Sequence, residues 1–535
     1  MTEMTGGQAL IQSLRVEGVE VIFGLPGVQL DWAFDALYEE RDRIRFIQTR
    51  HEQAAAYMAD GYARATGRPG TCLVVPGPGV LNTTAALSTA YACSSPVLCL
   101  TGQIQSDLIG KNRGVLHEIP EQLRVMASVT KWARLAQSPA EIPGLVHEAF
   151  RQMGTGRARP VEVEIPPDIL AARGEVHLAE PEPFSRGAAG NPDRLEEAAR
   201  LLGEAERPLI CAGGGILGAD ASAELLRLAE LLEAPVAMTN NGRGAISDRS
   251  YLAQPPLAGR QLVPDADVIL AVGTRFVLPA TQWGIKPEQK VIHIDIDPEE
   301  LGRNHAPDIA IEADAKLALA ELAALVERHN RKRPSRRDEL TAVKSKVLEQ
   351  LNGIQPQAGL AGAIRDELPD DGVVICGMTQ VGYWSRLAFP VYEPRTFLTS
   401  GYQGTLGFEF PTALGAQVGC PDKKVVSIAG DGGFMYNVQE LSTMAQQGIN
   451  AVGIVFNDNA YGNVRRTQRV QFHDKIIGSD LHNPDFVRLA ETFGVAGMRA
   501  KNAAELRLAL REALSNGHPT LIEVPVEEMP TPWAL

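Results

Sequence analysis

GDGGFMYNVQELSTMAQQGINAVGIVFNDNAYG, residues Gly430–Gly462, is the stretch whose reading decides the fold. It follows KVVSIA, an apolar run that reads as a strand, so the GDG triplet closes that strand. Glycine has no Cβ, and Gly430, Gly432 and Gly433 let backbone N–H groups converge on a phosphate. NVQELSTMAQQG then reads as a helix with Gly448 as its C-cap, its positive N-terminus aimed back at the same turn. AVGIVF is the next strand. In a doubly wound sheet adjacent parallel strands end on the same side. Asp431 ends one strand and Asp458 ends the next, 27 positions later. Two carboxylates and a set of loop carbonyls therefore meet beside a phosphate-binding turn, and hard oxygen ligands next to a diphosphate suit Mg2+. A GDG triplet by itself is an ordinary β-turn. The specific signal is the whole order of strand, GDG, helix, strand and Asn-Asp-Asn.

The same alternation runs through the chain. TCLVVPGPG, PVLCLTG, VEVEIP, RPLICAGGG, VILAVG, KVIHIDI and PTLIEVP are apolar runs bounded by Gly, Pro or Asp. Between them AELLRLAELLE and AAELRLALREAL carry apolar residues at helical spacing. This predicts βαβ units with parallel sheets buried on both faces. Residues 174–192, rich in Pro, Gly and Glu, and the basic run 327–338 around Pro334 read as linkers. The second could be a nucleic-acid patch, but a solvated linker on an acidic chain is the better reading. Three α/β domains follow, at 1–175, 190–330 and 355–535. RPVEVEIPPD near the end of the first and HPTLIEVPVEE near the end of the third suggest that these two share an architecture.

A chain of 535 residues with 44% hydrophobic and 22% charged residues belongs to the globular class. A net charge of −14 argues against nucleic-acid and anionic-membrane surfaces. No apolar run reaches the roughly 20 residues of a membrane helix, and the N-terminus lacks a signal-peptide pattern. Six cysteines without CxxC spacing suit buried thiols in a reducing cytoplasm.

The GDG-to-Asn-Asp-Asn pattern resembles the thiamine-diphosphate-dependent enzymes. That resemblance implies Asp431 and Asp458 as side-chain metal ligands with a backbone carbonyl near Ala460, and Asp458 stands where Asn is more usual. A second signature supports it: QTRHEQAAAYMADGYARATGRPG, residues 48–70, matches the block in which the family's glutamate hydrogen-bonds the cofactor's aminopyrimidine ring. Glu52 would thus drive proton loss from the cofactor's thiazolium C2, although taken alone it is an acid at a helix N-terminus. Pro26 and Gly27 in GLPG and Asn82 in PGPGVLN resemble the pyrimidine-side loops. Gly404 would accept from the 4′-amino group, Leu406 would prop the bent cofactor, and Gln380 aligns on the diphosphate side. Tyr461 and Gly462 complete the cofactor set with the GDG glycines. The domain order, pyrimidine-binding, central and diphosphate-binding, is the family's. It implies a homodimer or homotetramer with Glu52 of one subunit serving a cofactor held by another.

Within the family the chain is most similar to the acetolactate synthase group, which has pyruvate oxidase and benzoylformate decarboxylase among its relatives. VTKWARL, KVIHIDIDPEELGRN and the TSG-x-x-GT-x-GF pattern fit. Three positions depart: Pro279 replaces a central-domain arginine that can pair with an acceptor carboxylate, Thr467 replaces a tryptophan, and Pro167 replaces a lysine. Arg465 and Arg466 offer another anion site or a solvated pair. His117 falls near a substrate-side glutamine and is a candidate catalytic group or a packed histidine, and His473 lies in a segment that could close the site. FAD is left open, because LAQPPLAGRQL stands where the synthases carry an FAD loop. AGGGILG (212–218) mimics a dinucleotide fingerprint, but the next strand ends in Asn240 and Asn241 rather than an acid. The expectation is a cytoplasmic thiamine diphosphate- and Mg2+-dependent enzyme that cleaves a 2-oxo acid with carboligation. The alternatives are a 2-oxo acid decarboxylase or C–C lyase, and, in another class, a non-catalytic scaffold or sensor.

Overall fold

The computed structural model describes residues 2–178, 180 and 187–534. Three six-stranded parallel sheets follow one another along the chain. In the first, the spatial order is Arg45–Gln48, Val21–Gly24, Gly70–Val74, Val97–Gly102, Val161–Ile165 and Trp132–Leu135. In the third it is Phe397–Thr399, Val373–Cys376, Val425–Gly430, Val452–Asn457, Thr520–Pro525 and Ala496–Arg499. Numbered along the chain, both run 2-1-3-4-6-5. The echo between VEVEI and TLIEVP is therefore topological, since each is the last strand of its sheet and each inserts before the edge strand. The central sheet runs 3-2-1-4-5-6, from Ala253–Gln254 through Leu209–Ala212 and Val268–Val272 to Ile309–Glu312, the Rossmann order.

Inner strands such as Gly70–Val74 and Val268–Val272 are buried at every position, as expected when helices cover both faces of a parallel sheet. Edge strands such as Ile309–Glu312 alternate buried and exposed residues. The first and third sheets share one apolar cluster, in which Tyr57 and Met58 pack with Phe408, Leu414 and Phe434. Its spine is the crossing of helices Glu52–Thr66 and Glu409–Gly419. A Cβ at Gly61 would lie 2.0 Å from Thr412 O, and one at Gly415 would lie 1.9 Å from Met58 O, so both positions must be glycine for the backbones to touch.

Both predicted linkers are more structured than expected. Residues 173–176 form a strand antiparallel to Thr2–Thr5, and a helix starts at Pro192 behind the Asn191 cap. Residues 179 and 181–186 of that stretch lie outside the described residues. Within the basic run, residues 330–336 are an irregular, mostly exposed connection between the helices Ala315–His329 and Arg337–Asn352, tied down at Arg333 and Arg336. Arg333 donates to Leu202 O at 2.7 Å, Gly203 O at 2.9 Å and Ala205 O at 2.9 Å, satisfying the carbonyls at the C-terminus of Pro192–Glu204. Arg336 is buried against Glu339, and Arg337–Asn352 is a helix. Among the described residues no helix is long and apolar enough to cross a membrane, and all six cysteines are free.

Candidate active site

The opening stretch folds as two strands with their ends together. Val425–Gly430 pairs with Val452–Asn457 in parallel, Gly430 opposite Phe456. The intervening helix is shorter than the sequence suggested, Glu440–Gln447, with Gly448 at its left-handed C-cap. The helical turn that starts at the strand end is instead Asp431–Phe434. The positive end facing the glycines therefore belongs to this four-residue turn and not to the longer helix.

Asp431 and Asp458 are brought close enough for each carboxyl to influence the other's protonation. Burial raises the Asp431 carboxyl above its ordinary range, and burial plus the Asp431 charge push Asp458 up to about 7. Two facing carboxyls in a half-buried pocket want a cation. The loop is built to keep them there. A side chain at Gly462 would lie 2.2 Å from Asp458 Oδ2, and one at Gly432 would lie 2.6 Å from the Tyr461 ring. Ala460, buried next to them, donates its N–H to Asp458 Oδ1 at 3.2 Å. Asn457 faces inward instead: its amide donates to Glu523 at 2.9 Å and its oxygen accepts from Asn459 N and Asn483.

Gln380 starts the helix Gln380–Ala388 across from the turn and is buried, yet neither its amide oxygen nor its nitrogen has a hydrogen-bond partner. The Asn437 oxygen is orphaned in the same way, while its nitrogen holds Gly407 O at 2.8 Å. Buried polar atoms without partners are costly, so the donor set fits a polar ligand such as a diphosphate with its metal. Gly404 is left-handed, at φ +60, next to Met378, and Leu406 is half-buried.

The pyrimidine-side residues gather separately. Glu52 opens the helix Glu52–Thr66 behind the His51 cap. Its Oε2 accepts from Asn82 at 2.9 Å, and its Oε1 lies 3.6 Å from a Cβ built on Gly79. Gly27 is needed because a Cβ there would meet Val75 Cγ1 at 2.3 Å, and Pro26 beside it is exposed. His117 has φ +65 and faces Gln29, Nδ1 to Oε1, at 3.1 Å. Within one chain, no hydrogen bond or ion pair among the described residues joins Glu52 to the Asp431 loop.

Two polar residues near these groups carry no motif in the sequence. Asn483 donates to Asp431 Oδ2 at 2.6 Å and to Asn457 Oδ1 at 2.9 Å. Glu440 accepts the Arg50 N–H on both oxygens at 3.1 Å, fixing the strand end that leads into Glu52. The remaining sequence candidates are placed as follows. Arg465 is paired with Asp480 at 2.9 Å, and Arg466 donates to Asn463 at 2.7 Å. His473 is exposed, Pro279 is buried within Val277–Gln282, and Pro167 starts Pro167–Ala171. At the central switch point the AGGGILG glycines pack on the chain itself. A Cβ at Gly213 would lie 2.1 Å from Gly273 O, and one at Gly215 would lie 2.6 Å from Gly273 Cα. Asn241 accepts from Thr399 at 2.9 Å. In place of the FAD loop Gly259 packs on Ala237 and Trp283. These close approaches account for the glycines at Gly213, Gly215 and Gly259 by packing within the chain itself.

Each sheet overlaps one matched domain of a single family. Residues 4–125 match the N-terminal TPP binding domain of thiamine pyrophosphate enzymes, 195–322 the central domain and 377–524 the C-terminal TPP binding domain. The chain belongs to the thiamine pyrophosphate enzyme family. It is 36% identical to a probable acetolactate synthase large subunit of Methanocaldococcus jannaschii, over 98% of this chain and 93% of the relative. It is 34% identical to an acetolactate synthase of Arthrospira platensis, over 98% and 94%. A probable 2-ketoarginine decarboxylase of Pseudomonas aeruginosa is 33% identical, over 97% and 94%. This thiamine pyrophosphate enzyme is thus acetolactate synthase-like along nearly its whole length, and one relative at similar distance is named as a probable decarboxylase.

Proposed function

We propose that the protein cleaves a 2-oxo acid with thiamine diphosphate and Mg2+ and passes the resulting fragment to an acceptor. The observation that carries this reading is the facing pair Asp431 and Asp458 under the glycine turn, with Gln380 orphaned opposite. Asp431, Asp458 and the carbonyl of Ala460 hold the metal. Gly430, Gly432, Gly433 and Gln380 receive the diphosphate, while Tyr461 and Gly462 shape the loop around it. When bound, the cofactor would supply an acidic C–H and thereby a carbon nucleophile suited to a 2-oxo group. Glu52 keeps the pyrimidine in its proton-releasing form, with Asn82, Pro26 and Gly27 around it, and Gly404 and Leu406 orient the ring. His117 exchanges protons with the substrate. Because Glu52 and the Asp431 loop are not joined within a chain, a homodimer or homotetramer completes each site, and a small soluble 2-oxo acid is the substrate.

Decarboxylation without carboligation is the second reading. Pro279 is favourable to it, because that position lacks an arginine fork for an acceptor carboxylate. The test is product analysis by carbon NMR with labelled 2-oxo acids, pyruvate first, plus thiamine diphosphate and Mg2+. Acetolactate supports carboligation, whereas free aldehyde and CO2 support the second reading. No turnover of any 2-oxo acid overturns both.

A further inference from the structure

Gln29 lies in the Val28–Leu30 turn just after Gly27 and is buried. It touches the 116–117 segment twice. Its Nε2 donates to Leu116 O at 3.4 Å, and its Oε1 faces His117 Nδ1 at 3.1 Å. The first contact decides the second. With the amide nitrogen turned to a carbonyl, the atom facing the imidazole is an oxygen, which only accepts. Nδ1 must then carry hydrogen, and in the neutral ring Nε2 keeps the lone pair. The backbone of His117 is fixed as well. A Cβ at Gly77 would lie 2.4 Å from His117 O, and the Gly77 N–H is held by Gln122 Oε1 at 2.8 Å. That same turn carries Gly79, which abuts Glu52. The carboxylates on the surrounding segments are Asp31, Glu52, Glu118 and Glu121. Glu118 is occupied by the N–H groups of Gly114 and Val115, Glu52 by Asn82, and Glu121 lies near Arg124. The group facing Nδ1 is a neutral amide.

We propose that Gln29 is a positioning residue that locks His117 in its Nδ1–H tautomer, making Nε2 the atom that takes a proton from the hydroxyl that replaces the 2-oxo group during the reaction. The O–H bond breaks, an Nε2–H bond forms, and the imidazolium keeps Nδ1–H on Gln29. The same proton returns to the product, so no electrons are exchanged and no further reactant is needed. This rests on the function proposed above, and it assigns the site a base for the hydroxyl formed from the 2-oxo group.

The test uses the full chain with thiamine diphosphate and Mg2+, as Q29L, Q29E and H117Q. The His117 ring is followed by NMR in histidine-labelled protein and identified as the signal missing from H117Q. A carboxylate facing Nδ1 favours the imidazolium, so Q29E should move the His117 titration midpoint upward by about one pH unit. Q29L should leave exchange of the cofactor C2 proton within about twofold while kcat on the turned-over 2-oxo acid falls about tenfold or more at little-changed KM. An unmoved midpoint in Q29E, or an unchanged kcat in Q29L, overturns the proposal. Absence of C2 exchange in the unmodified protein would instead sink the function proposed above, and the NMR midpoint would still decide the pairing.

Discussion

Asp458 is half-buried beside the like charge of Asp431. Its carboxyl is pushed up to about 7, above an unfolded value of about 4, so the folded chain binds that proton more tightly than the unfolded one. The stability it contributes is complete below the unfolded value and is lost as pH rises through about 7. Glu409 and Glu440, both raised to about 7 by burial, act in the same window. Thermal unfolding of metal-free protein should therefore drop as pH is raised from about 5.5 to 8, with a shallower drop in Asp458→Asn. Mg2+ with thiamine diphosphate should restore stability at the alkaline end; a flat profile with or without metal would contradict the pairing. At this scale the sequence was informative where spacing encodes geometry. One helix and one strand between Asp431 and Asp458 force them together. Asn483 and Glu440 were not legible, because they reach their partners, Asp431 and the Arg50 N–H, across folds of chain that no local pattern describes.

At the scale of elements, the helix crossing carries the tightest constraint. Gly415→Ala replaces a helix-interior glycine, a change that by propensity alone gains up to about 1 kcal/mol. Here the added methyl would sit 1.9 Å from Met58 O, so the helices must separate and the core shared by the first and third sheets opens. We expect a net loss of about 1–3 kcal/mol, read as a lowered thermal midpoint; a raised midpoint would show that the helices do not touch. The inner strands were legible from their continuous apolar runs. Short edge strands such as Trp132–Leu135 were not, because Arg134 is exposed and Trp132 and Leu135 are only partly buried, which breaks the continuous apolar run. The role of Arg333 in the run 327–338 was not legible, because composition reports charge and says nothing of the helix-end carbonyls that Arg333 satisfies.

At the scale of the whole molecule, the two halves of the candidate site are each well built and incomplete. Val28, Leu81 and Leu116 are exposed around the Glu52 side, and Tyr402, Met435, Tyr436 and Val464 around the other. An unsatisfied apolar rim on each half suits a symmetric assembly in which one chain's Glu52 side meets its partner's diphosphate side. Coexpression of Glu52→Gln and Asp431→Asn chains, each inactive alone, should then return about a quarter of normal activity, because half the dimers carry one intact site of two. No recovery would mean that both residues serve a site within one chain. The domain plan was legible because a βαβ alternation fixes a parallel sheet, whereas in the sequence an assembly of subunits is implied only by the family resemblance. The most direct measurement is deuterium exchange at C2 of thiamine diphosphate bound with Mg2+, in the unmodified protein and in Glu52→Gln. The account predicts exchange far faster than in free cofactor, falling to the free rate in Glu52→Gln with the cofactor still bound. Equal exchange in the two proteins would contradict it.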